Sequence, residues 1–153
     1  MARSKSCNSR SKFSQTVTFI LDIQPGTAGT ATLLVADEHT APRVGSGAIH
    51  VLATPVMINL FEAAALEACE RLLPDGHQSL GTKLNISHIA ATPVGMRVTA
   101  TATVVKTDGR NIHFVVSARD ERDVIGEGTH ERVVVNVERF DKRVQEKTAL
   151  LKR

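Results

Sequence analysis

Polar and apolar positions alternate with a period of two over residues 15–23 (QTVTFILDI): Val17, Phe19, Leu21 and Ile23 face one way, Thr16, Thr18 and Asp22 the other. That alternation predicts a half-buried strand. PGTAG turns the chain, and TATLLVA at 30–36 is a second short strand. In DEHTAPRVGSGAIHV, residues 37–51, Pro, Gly and Ser break every period. Loops of that length inside compact domains are commonly functional.

ATPVMINLFEAAALEACERLLPDG, residues 53–76, carries helix punctuation: Thr54 as N-cap, Pro55 at the first helical position, an alanine-rich interior, then Pro74 and Gly76 as terminators. Apolar residues surround this helix almost completely from Val56 to Cys69, so it should be buried on most sides. From Ser79 the period returns to two, with Leu80, Leu84, Ile86 and His88 on one face and Lys83, Asn85 and Ser87 on the other. MRVTATATVVK, an Asp-Gly turn in TDGR, NIHFVVSARD and VIGEGTHERVVVNVERF complete a run of antiparallel strands. The predicted order is two strands, one buried helix and about four strands. The economical architecture is α+β, a curled antiparallel sheet wrapped around one long helix. One helix cannot cover both faces of such a sheet, so a homodimer is expected. The domain is read as 14–145, between a disordered basic tail at 1–13 and a polar C-terminal tail at 146–153.

Composition narrows the function. A chain of 153 residues suits one domain, too short for a catalytic domain plus a separate partner-binding one. The formal charge is +3, but residues 1–12 contribute +4 and 138–153 contribute +3, leaving the middle at −4. The basicity is therefore in the tails. With no Trp or Tyr, and five Phe not interleaved with Lys or Arg, an aromatic base-stacking surface is missing, and no nucleic-acid partner is expected. Cys7 and Cys69 form no metal-type or C-x-x-C spacing, which fits a reducing cytosol. Neither a membrane span nor a secretory signal is read, so the expectation is a cytoplasmic protein with no membrane partner.

Glu62 is the anomaly, because it follows the apolar run Val56–Phe61 and burying an unpaired carboxylate is far costlier than burying a leucine. His88 sits on the strand face that should pack against the helix. A carboxylate holding an imidazole or a water is a recurring general-base arrangement, since a desolvated acid has its pKa moved towards neutrality. The alternative is a Glu–His pair that only satisfies itself. Thr54 adds a third polar group, although Thr-Pro is also what a plain N-cap looks like. Eight residues of helix put Thr54 roughly 12 Å from Glu62, so a shared site needs Thr54 bent off the helix or a partner subunit. Asn59, one turn before Glu62, can reach it or a substrate. His50 lies in the long loop, where it either touches ligand or does nothing. His77, His113 and His130 show no ligand spacing, so no metal is expected.

LATPVMINLFEAA, SLGTKLNISHIAATPVG, DGR and IGEGTHERVVV, in this order and spacing, resemble the fluoroacetyl-CoA thioesterase-like group of hotdog-fold proteins over roughly residues 14–145. The resemblance implies a hotdog fold, pairing into dimers or dimers of dimers with the site at the interface. It also implies hydrolysis of a small acyl-CoA thioester to a carboxylate and free CoA. Coenzyme A would be part of the substrate, with no other cofactor. Carried over, the catalytic residues are Thr54, Glu62 and His88. Gly81 lines the acyl site and Arg132 lies near the substrate, unless Arg132 is only a surface ion pair with Glu127 or Glu131. One departure stands out: the phenylalanine lid that the fluoroacetyl-specific enzyme carries before its catalytic threonine is absent from PRVGSGAIHVLAT. A general short- or medium-chain acyl-CoA is the expected substrate. A non-catalytic acyl-thioester binding module of the same fold is the alternative. A hydratase is disfavoured, because TPVMINLFE lacks the Asp and His that such enzymes place at the start of the buried helix.

Overall fold

The computed structural model describes residues 19–152. The basic tail at 1–13 and the first part of the strand predicted at 15–23 lie outside the described residues. Strand β1 (Ala28–Leu34) is followed by a 3-10 turn, a short helix α1 (Ala41–Val44), and the long helix α2 (Thr54–Cys69). Strands β2 (His77–His88), β3 (Arg97–Asp108), β4 (Asn111–Arg119) and β5 (Val124–Asn136) then run in succession, and helix α3 (Val137–Ala149) follows. All pairings are antiparallel, in the order β1-β3-β4-β5-β2. This is the predicted curled sheet around one helix.

Two expectations are corrected. Residues 19–23 are not a strand; the alternation is real, since Leu21 and Ile23 are buried while Ile20 is 78% exposed, but the segment joins no ladder. Apolar alternation reports which side faces the core, and says nothing about whether a neighbouring strand is present to accept hydrogen bonds. Beyond β5, helix α3 runs through residue 149. It is capped by the Asn136 side chain, which accepts from the Arg139 N–H. In β2, the register shifts between Gly81 and Lys83, so that Thr82 has no partner residue on β5. The bulge swaps faces: Ser79 is buried and Leu80 is 38% exposed, whereas beyond the bulge Leu84, Ile86 and His88 are half-buried.

The core is built for close approach. Met57, Leu60, Phe61, Ala64, Ala65, Ala68 and Cys69 of α2 pack on Val98, Ala100, Ala102 and Val104 of β3 and on the inward residues of β4 and β5. Small residues recur where helix meets sheet. At Gly29 in β1 an added Cβ would overlap the backbone oxygen of Ala64, the backbone nitrogen of Ala68 and the Glu67 carboxylate. That carboxylate accepts from the Thr30 N–H at 3.0 Å, tying helix to strand at the crossing. The Asp-Gly turn joins β3 to β4 as predicted, with Gly109 at φ 56° as the first of two loop residues.

The opposite side of α2 is not covered by the described residues: Pro55, Asn59, Ala63 and Leu66 are exposed along it, with Glu62 half-buried among them. Gly29→Ala should lower stability by about 1–3 kcal/mol, the usual penalty for overpacking, read as a shift of the urea midpoint. An unchanged midpoint would mean that helix and strand do not meet at this distance.

Candidate active site

Thr54 does not cap its helix. The N-cap is Ala53, in extended conformation and with no side-chain cap bond, so Thr54 is the first helical residue and Pro55 the second. Freed from capping, the Thr54 hydroxyl lies 2.7 Å from Nδ1 of His88, at the end of β2. Burial pushes the His88 pKa below the ordinary histidine value, against a smaller opposing pull from the Ala90 backbone. With the ring proton on Nε2, Nδ1 accepts from the Thr54 hydroxyl; Nε2 is buried with no hydrogen-bond partner among the described residues. In that tautomer the hydroxyl is aimed at a base.

The pair lies at the floor of an open groove of about 440 Å³, walled by Ala48, Ile49, Val51 and Leu52 on one side and by Ile89 and Ala90 on the other. Among the described residues no Phe lines it. The loop above is held by its own bonds. Asp37 accepts from Arg43 Nε at 2.6 Å and pairs with His50 Nε2 at 2.7 Å, and these two contacts, His50 first, hold its carboxyl below the usual range. His50 is therefore a clasp of the loop. Leu52 N–H donates to the Thr92 carbonyl, and Ala53 N–H to that of His39, fixing the approach to Thr54.

Glu62 is elsewhere. Two helical turns on, its side chain is 38% exposed and reaches Nη1 of Arg132 at 3.7 Å. Its carboxylate fills the space that a Cβ at position 81 would enter, so a larger residue there would have to displace it. Arg132 is buried and pairs with neither Glu127 nor Glu131. Its Nε donates to Ser79 Oγ at 2.8 Å and its Nη2 to the Ser79 carbonyl at 2.9 Å. Ser79 Oγ in turn donates to Glu70 at 2.7 Å. Asn59 is exposed and makes no hydrogen bond to Glu62 among the described residues. The protomer thus brings together Thr54 with His88, and Glu62 with Gly81 and Arg132. It does not bring Glu62 to His88.

Residues 35–138 match the family described as fluoroacetyl-CoA-specific thioesterase. The fluoroacetyl-CoA thioesterase of Streptantibioticus cattleyicolor is 45% identical over 98 residues, which is 64% of this chain and 70% of that one. A solved structure of the fluoroacetyl-CoA thioesterase FlK, a threonine-to-serine variant in complex with acetyl-CoA, is 36% identical with a TM-score of 0.77, covering 82% of this chain and 98% of that chain. The chain belongs to the fluoroacetyl-CoA-specific thioesterase family. A Thermus thermophilus member of the thioesterase superfamily, 24% identical, superposes with a TM-score of 0.81 over 87% of this chain and 98% of its own, which places the architecture among the hotdog folds.

The chain is thus one of a family of thioester hydrolases, and against that background two residues at its site escaped sequence reasoning. Ser79 was hidden by the bulge, which reverses the face it occupies. His130 was read as lacking metal partners, yet it is fully buried beside Arg132; the i, i+2 spacing of His130 and Arg132 on one strand face was the available signal. Cys69 is a buried thiol, its pKa raised by desolvation, and is packing for this family member. Among the described residues no cluster of His, Cys, Asp or Glu is arranged to hold a metal ion.

In an NMR pH titration, the His88 ring should show a midpoint below the ordinary histidine value of about 6.5. Because the folded value is depressed, the unfolded chain binds the extra proton first, so this residue's contribution to stability is lost as pH falls below the unfolded value. A midpoint at or above the ordinary value would remove the neutral base from the site.

Proposed function

We propose that this protein hydrolyses small acyl-CoA thioesters to the carboxylate and free CoA at a site built by two protomers. Family membership supplies the chemical class. The observation that carries the reading is the 2.7 Å contact between the Thr54 hydroxyl and a neutral His88 in a groove open to substrate.

The geometry supports the two-protomer arrangement. Thr54 is inside α2, so it and Glu62 are fixed roughly 12 Å apart on one helix. Among the described residues, the uncovered stripe of α2 carries Glu62, and β2 is an unpaired edge strand of 12 residues ending at His88. A free edge that long invites a second strand. Pairing two protomers there covers the stripe and supplies the Glu62 that each Thr54–His88 pair lacks. In this reading Thr54 positions the thioester carbonyl, and the carboxylate of Glu62 from the partner subunit acts with His88 as the acid/base pair that delivers oxygen to the carbonyl carbon. The C–S bond breaks, the CoA sulfur takes up a proton, and water supplies the oxygen of the released carboxylate. A groove with no Phe among its described lining residues suits a general small acyl group, and solved relatives hold acetyl-CoA and fluoroacetate.

A thiol-release assay over a chain-length panel, including acetyl-CoA and fluoroacetyl-CoA, tests the reading. Glu62→Gln and His88→Ala should each lower turnover by about 10²–10⁴-fold, the usual worth of a general acid or base, without lowering the melting temperature. Thr54→Ser should keep activity and Thr54→Ala should lose it. Since Thr54 makes no cap bond, Thr54→Ala should not incur the helix-cap loss of about 1 kcal/mol. Normal turnover in these variants would contradict the assigned roles. No hydrolysis by wild type, with acyl-CoA still raising the melting temperature, would favour an acyl-thioester binding module.

A further inference from the structure

Arg132 is held in one orientation from two sides, and only one side has an obvious structural purpose. Ser79 accepts from Nε with its hydroxyl and from Nη2 with its carbonyl, and that hydroxyl donates in turn to Glu70. On the other side stands His130, fully buried on β5 and stacked against Phe114 with ring centroids 6.0 Å apart. Its Nδ1 is 3.0 Å from the Lys83 carbonyl, which can only accept, so Nδ1 carries the proton. The other nitrogen, Nε2, is therefore an acceptor, and it faces Nη1 of Arg132 at 3.4 Å. Nη1 is also the atom nearest Glu62, at 3.7 Å. One guanidinium nitrogen is thus shared between a neutral imidazole and the site carboxylate.

We infer that His130 is a positioning residue for hydrolysis: its Nε2 lone pair fixes Nη1 of Arg132, and Arg132 holds the Glu62 carboxylate in the space before Gly81. This rests on the proposed role of Glu62. The alternative for a buried histidine is that it merely satisfies itself in the core, which the Lys83 carbonyl bond and the Phe114 stack would accomplish alone. What the core does not require is an acceptor at Nε2. The bulge at Thr82 is part of the device, because it turns the Lys83 carbonyl towards the ring and leaves Gly81 facing Glu62. A protonated His130 would present two donors and a positive charge to Arg132. Burial and the Arg132 charge both keep the ring neutral, against the opposing Lys83 carbonyl.

Two substitutions separate the two bonds. His130→Asn retains a donor where Nδ1 was, but has no atom at the Nε2 position; His130→Gln places an acceptor oxygen there. Each is tested in the full chain by steady-state kinetics on whichever acyl-CoA of the panel wild type hydrolyses, and by NMR of the Arg132 side-chain N–H groups. A misaimed group beside the reacting atoms costs up to about 100-fold, so kcat should fall roughly 10- to 100-fold in the Asn variant, with KM within about twofold, and stay within about threefold of wild type in the Gln variant. The Arg132 N–H signals should be ordered in wild type and Gln and averaged in Asn. Equal losses in both variants, an Asn variant with wild-type kcat, or Arg132 signals unchanged in Asn would overturn the inference. Should wild type hydrolyse no acyl-CoA, the proposed function fails, while the Arg132 signals still decide whether His130 positions the arginine.

Discussion

Thr54 and Glu62 ride on one rigid helix, and the eight residues between them fix a separation of roughly 12 Å that no side-chain rotation closes. The rest of the molecule is arranged around that distance. His88 comes to Thr54 from the end of β2, while Arg132 and Gly81 come to Glu62 from the middle of β5 and β2. The chain therefore carries two polar clusters on its helix, one at the first residue and one near the middle. Under the proposed pairing, a second copy in the reverse orientation brings the unlike clusters together, since an isologous interface presents each patch to its counterpart.

Holding the two clusters in place requires a helix seated deep in the sheet. Gly29 and the alanines of α2 and β3 allow backbone to approach backbone, so helix depth is set by contact instead of by flexible side chains. The bulge at Thr82 does the same for β2. It turns Ser79 and Gly81 inward, and Leu84, Ile86 and His88 inward again beyond it, so that one strand contributes to both clusters. Extra residues in strands often mark the places where a side chain has been re-aimed for function.

Much of this was legible in the sequence. The change from a helical to a two-residue period at Ser79, the apolar run into Glu62 and the Asp-Gly turn led to a sheet wrapped on one helix, and the structure has it. Thr54, Glu62, His88, Gly81 and Arg132 were all singled out, and the structure distributes them between two clusters. Three things were not readable. Thr-Pro signals a helix start, but not whether the threonine spends its hydroxyl on the cap. A bulge leaves no mark on an alternating pattern, so Leu80 was set inward and Ser79 overlooked. Alternation at 19–23 reported burial correctly and pairing wrongly, because pairing depends on a distant strand. Each miss concerns a partner remote in sequence, which local periodicity cannot name.

The most direct measurement is subunit complementation. Thr54→Ala and Glu62→Gln proteins, each inactive alone, are unfolded and refolded together, and thioesterase activity is measured on the mixture. If Thr54–His88 and Glu62 meet across an interface, a mixed dimer holds one intact site, and random pairing should restore about a quarter of wild-type activity per protomer. A mixture as inactive as its components would contradict a shared site and place all three residues' chemistry within a single chain.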